Sequence, residues 1–123
     1  MAKTSSLVLL SEQDYDASST TVPITGTEQK AAGYYSSAGD LQTVAIFTED
    51  FNGTIKVQAT LDTTLGTNSF FDVFTFSNDG SSANDSTARF FNSVQNVSGR
   101  FTFMRAVVTE FSQGTINKVL LSY

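Results

Sequence analysis

Asp62 with Asp72, and Asp79 with Asp85, are the acids whose spacing could bring two carboxylates to one cleft, the arrangement that glycoside hydrolysis requires. Each of the four falls near the end of an expected strand or in a turn, where an acid is solvated for local reasons. The twelve acidic residues therefore define no hydrolytic site. A nucleophilic triad lacks its base, because the chain has no His. A Ser–Lys dyad has its residue types but no recognisable motif. There is no Cys, which excludes thiolate chemistry and disulfides. The loop "SNDGSSANDS" (77–86) clusters oxygen ligands of the kind calcium takes, but it departs from the D-x-[DN]-x-[DN]-G pattern and suits a turn equally well. No glycine-rich phosphate loop occurs. The expectation is a protein that is not an enzyme, with no cofactor and no metal.

Charge narrows the partners. Seven basic residues against twelve acidic ones leave a net charge of −5. The bases are scattered from Lys3 to Lys118 with no two adjacent, so no groove for nucleic acid is expected. The apolar run Leu7 to Leu10 is too short for a signal peptide, and no stretch approaches a membrane span. The sequons at Asn52, Asn84 and Asn96 then read as incidental. The plain reading is a soluble protein made in a cytoplasm, with no membrane partner.

The elements that would position any site are strands. In "TIKVQATL" (54–61), Ile55, Val57, Ala59 and Leu61 face one way and Thr54, Lys56, Gln58 and Thr60 the other, the period of a half-buried strand. "FNG" before it predicts a turn. Further strands are expected in "SSLVLL" (5–10), "TTVPI" (20–24, an edge piece because of Pro23), "QKAAGYY" (29–35) and "LQTVAIFT" (41–48). "FFDVFTFS" (70–77), "ARFFNSVQNV" (88–97), "RFTFMRAVVTE" (100–110) and "TINKVLLSY" (115–123) complete the set. Eight or nine strands at this spacing predict one all-β, antiparallel β-sandwich domain over residues 1–123, with 1–20 a candidate extended N-terminal arm.

Eleven Phe and four Tyr include the doublets Tyr34–Tyr35, Phe70–Phe71 and Phe90–Phe91. Neighbours in a strand point to opposite faces, so each doublet sets one ring outward. Outward rings need a cover, which loops or another chain can supply. "GRFTFMRAVV" (99–108) adds a cation to such a strand. Arg105 is either a structural arginine, paired with an acid such as Asp72 or Glu110 or lying along the sheet with its head in solvent, or part of an interface with Phe101 and Phe103 beside it.

"GRFTFMRAVVTEFSQGTINKVLLSY" resembles the closing strands of discoidin-like, galactose-binding-type jelly rolls: an aromatic–apolar–Arg–apolar strand, a turn, and a last strand ending in an aromatic. Phe103, Met104, Arg105 and Ala106 match the first element; Ile116, Val119, Leu121 and Tyr123 match the second. "FNGTIKVQATLD" resembles an earlier strand of that fold. Together with "FFDV", these segments are similar to small β-sandwich virion proteins of tailed phages, especially those infecting marine bacteria, over about the last two-thirds of the chain. The resemblance implies a jelly-roll sandwich of about eight strands in which Arg105 shares a face with Phe103 while Met104, Ala106 and Val108 enter the core. It also implies a virion structural protein, made in the host cytoplasm and mounted on the capsid exterior or the tail. Its partners would be other virion proteins and further copies of itself. Phe101, Phe103 and Arg105 are then the expected interface. The chain lacks Trp and an obvious aromatic cluster in its loops, where many of these modules bind sugar. A carbohydrate-binding module for host attachment is the alternative, with Tyr34, Tyr35, Asn78 and Asp79 as its candidate residues.

Overall fold

Two segments, 41–60 and 103–122, alternate buried and exposed side chains over twenty residues each, and they form the longest elements of the computed structural model. The structure describes residues 6–35, 39–63, 69–78 and 90–123, and for Tyr35 and Phe90 the backbone alone. Its elements are β1 (Leu7–Leu10), β2 (Gln13–Asp14), β3 (Ile24–Thr25), β4 (Gln29–Lys30), the helical turn α1 (Ala32–Tyr35), β5 (Leu41–Thr60), β6 (Phe71–Asn78), β7 (Phe90–Ser98) and β8 (Phe103–Ser122). All pairings are antiparallel, and the eight strands belong to one hydrogen-bonded sheet. The expected all-β class is found, with eight strands among the described residues.

Four boundaries differ from expectation. Of the edge piece expected over 20–24 only Ile24 is in a strand, β3, which runs on to Thr25. "FNG" is not a turn: Phe51, Asn52 and Gly53 lie inside β5, which joins the two strands expected on either side. The two closing strands are likewise one, β8. Residues 29–35 form only the short β4 followed by α1, because Ala31 donates to Thr102 and Gly33 to Phe101 across the start of β8, in place of continuing a ladder. Residues 7–10 and 13–14, within the candidate arm, pair with β8.

β5 and β8 pair along their whole length and bend together in the middle. Phase shows how the bend works. The buried residues of β5 are Gln42, Val44, Ile46 and Thr48, then Phe51, Gly53, Ile55, Val57 and Ala59, with Thr60 also buried at the strand's end. An extra residue near Asp50, whose φ is 53°, moves the inward set from even to odd positions. The register with β8 shifts at the same place, between Glu49 and Asn52 and again before Gly53. Gly114 sits opposite with φ 86°, and a side chain there would collide with the carbonyl of Asp50. One at Gly53 would collide with the carbonyl of Glu110. The glycines let two long strands turn a corner while keeping one side apolar.

The bend divides the sheet into two halves. In one, β7, the first half of β5, the second half of β8 and β1 with β2 lie side by side. In the other the order is β6, the second half of β5, the first half of β8, then β3 with β4. Both halves contribute to one core: Leu9, Val44, Ile46, Val119 and Leu121 from the first, Ile55, Val57, Met104, Ala106 and Val108 from the second. Among the described residues no long helix covers this core, and the two halves of the sheet supply its residues to each other. The edges agree. Gln29 Nε2 donates to the carbonyl of Val8 at 3.0 Å, tying β4 to β1 where the halves meet. At the opposite edge β6 and β7 approach each other without forming a ladder.

Candidate functional site

A folded sheet has two outer faces, and here they differ. The outer face of the β6 half carries Arg105. Its Nε donates to Gln58 Oε1 at 2.8 Å, and Gln58 Nε2 donates to Asp72 Oδ1 at 2.9 Å. Lys56 Nζ lies 3.3 Å from Asp72 Oδ2. The guanidinium also stacks over Phe70, 4.1 Å from the ring centroid. The hydrogen bond from Gln58 holds the Asp72 carboxyl below its ordinary range, and Lys56 adds to the effect. Arg105 thus reaches an acid through an amide, across three adjacent strands. Asp72 is the acid the sequence suggested; the link to it is Gln58. Glu110 instead accepts from Thr54 Oγ1 at 2.8 Å.

Phe103 shares that face, opposite Thr60 in the ladder, and meets Tyr34 edge to face at 5.4 Å between centroids. Met104, Ala106 and Val108 enter the core, as the resemblance implies. Phe101 behaves differently. It packs partly buried against the core and contacts Phe71 at 5.9 Å. The three expected interface residues therefore lie at one end of this half, but only Phe103 and Arg105 share a face.

The other outer face was not singled out from the sequence. Ladder register sets Val94 of β7 opposite Ala45 of β5, Ala45 opposite Leu120 of β8, and Leu120 opposite Val8 of β1. These four side chains make an apolar row across four strands. Val94 is 66% exposed and Val8 44%. On one side the row is bordered by Asn96, Thr43 and Ser122, with Thr43 Oγ1 donating to Asn96 Oδ1 at 2.8 Å. On the other lie Asn92, Phe47 and Lys118, the ammonium 5.1 Å from the ring. Leu41, 52% exposed, lies beyond that polar border, opposite Ser98. Nothing in local sequence could reveal this row, since its members are brought together only by pairing of distant strands.

Four residues were expected for a sugar site. Tyr34 is exposed beside Phe103, with Lys30 Nζ 4.5 Å from its ring. Asn78 sits at the other end of the same half, opposite Gly53, where its Nδ2 donates to the carbonyl of Phe51 at 2.8 Å. Seven residues of β5 separate Gly53 from Thr60, roughly 23 Å of strand, so Tyr34 and Asn78 do not converge. Asp79 and the Tyr35 side chain lie outside the described residues, as do Asp85 and most of the loop 77–86.

At the bend an open cleft of about 550 Å3 is lined by Asn52, Thr54, Ser77, Asn78, Glu110 and Ser112, among others. Thr54 links Ser77 and Glu110 there by hydrogen bonds. One carboxylate among hydroxyls and amides offers hydrogen bonds and no acid–base pair. Among the described residues no group of three or more His, Cys, Asp or Glu could hold a metal, and no helix is long and apolar enough to cross a membrane. No family model matches the chain, and no curated protein or solved structure is significantly similar to it.

Proposed function

We propose that the protein is a non-enzymatic structural component of a tailed-phage virion, made in the host cytoplasm and placed on the capsid exterior as a decoration or on the tail. It works by self-association and by docking onto other virion proteins. The observation that carries this reading is the exposed apolar row Val8–Leu120–Ala45–Val94, on a sheet face whose counterpart in the other half holds a satisfied polar network. Apolar surface removed from water contributes ~25 cal/mol per Å2, less the cost of association, so such a row favours a partner. The resemblance of the closing strands to virion β-sandwiches supplies the setting, and in that setting the folded sheet reads as a jelly roll. Mass spectrometry of purified particles tests the proposal: peptides of this chain should be present in many copies, and their absence overturns it.

A carbohydrate-binding module for host attachment is the second reading. The exposed ring of Tyr34, held edge-on by Phe103, is the observation in its favour. Glycan binding that is lost in Tyr34→Ala while assembly persists would decide for it.

A further inference from the structure

We propose that β7 is the seat of a twofold contact between two copies of this chain, in which the β7 strands of both copies run antiparallel and centre on Val94. This deepens the self-association named above and rests on it. β7 pairs with β5 along one side, Leu41 through Glu49 against Ser98 through Phe90, and no described strand pairs with its other side. Such an edge presents a row of backbone donors and acceptors that another extended strand can satisfy. Native edges are commonly guarded by charge, proline or a bulge. Phe90–Ser98 reads FFNSVQNVS, with no charge and no proline, and its register with β5 is unbroken.

The strand's own order identifies the occupant. Antiparallel pairing about Val94 sets Val94 against the partner's Val94, Asn92 against the partner's Asn96, Ser93 against the partner's Gln95 and Phe91 against the partner's Val97. From Phe91 to Val97 apolar then meets apolar and polar meets polar, the end pair Phe90 with the partner's Ser98 being the one mismatch, and no like charges oppose. Moving the centre to Ser93 or Gln95 breaks the match, setting Asn92 against the partner's Val94 or Val94 against the partner's Asn96. The row Val8–Leu120–Ala45–Val94 becomes continuous with its copy, so the dimer presents one apolar ridge across both sheets.

The chain has no Cys, so single-cysteine variants report this register alone. Val94 is 66% exposed, and its substitution leaves the monomer intact. On oxidation Val94→Cys should give a covalent dimer, because directly opposed residues have Cα atoms about 4.5–5.5 Å apart, within disulfide reach. Asn96→Cys should not, because its copy lies four residues further along the partner strand, roughly 13 Å away. By sedimentation velocity the unmodified protein should dimerise with concentration, and Val94→Lys should abolish the dimer. Equal linkage of both cysteine variants overturns the proposal, since random collision then explains it. Self-association that survives in Val94→Lys without specific linkage overturns the β7 contact and leaves association through another surface standing. A protein that stays monomeric up to about 1 mM overturns both.

Discussion

Gln42 shows how much one side chain can hold. It is fully buried, yet every polar atom of its amide is used: Nε2 donates to the carbonyls of Val97 at 2.7 Å and Gly99 at 3.0 Å, and Oε1 accepts from the Ala32 amide at 3.2 Å. The start of β5, the end of β7 and the α1 turn are thereby fixed to one another. Gln42→Leu keeps the volume but leaves those backbone groups unpaired, and it should destabilise the fold by about 3 kcal/mol in denaturant titrations. Asp72 works at smaller scale. Because its folded pKa is lowered, its contribution is fully present above the ordinary carboxylate range and fades as pH falls through the lowered value. The stability difference between the parent and Asp72→Asn should therefore be constant above about pH 5 and shrink below about pH 4. Solvent screening holds it to roughly 0.5 kcal/mol, since the paired Lys56 and Asp72 side chains are 36% and 44% exposed.

At the scale of elements, the bend of β5 and β8 decides the architecture. Gly114→Ala must place a side chain at φ 86° and against the Asp50 carbonyl, so it should cost about 2 kcal/mol or more in equilibrium unfolding. Gly53→Ala at the facing strand should behave similarly, because it meets the Glu110 carbonyl. Here the limits of sequence reading are physical. The alternation Ile55, Val57, Ala59 and the inward set Met104, Ala106, Val108 follow from a period of two, and the structure has them. The joining of 41–48 to 54–61 does not follow. Phe51–Asn52–Gly53 has turn composition, and its cross-strand partners, Phe111 and Gln113 on β8 and Asn78 on β6, keep it extended. Tyr34 and Tyr35 likewise have strand composition but lie in a helical turn set by bonds from residues 31 and 33 to the chain at 101–102. The face shared by Phe103 and Arg105 was legible because both lie on one strand. The row Val8–Leu120–Ala45–Val94 was not, because its four residues come from four strands.

The whole molecule hides its rings unevenly. Among the described phenylalanines only Phe51 and Phe111 are buried in the core, while Phe71 is 44% exposed. Phe47 and Phe70 lie on outer faces under Lys118 and Arg105. One corner of the fold is closed by the β1–β4 contact, whereas the β7 edge has no ladder partner among the described residues. A chain with net charge −5 thus has an uncharged strand at the edge where it can be extended. Amide hydrogen exchange followed residue by residue at increasing protein concentration tests this most directly. Protection of β7 amides should rise with concentration while β6, an edge strand of the other half, exchanges at an unchanged rate. Exchange in β7 that is the same from dilute to concentrated solution would contradict it.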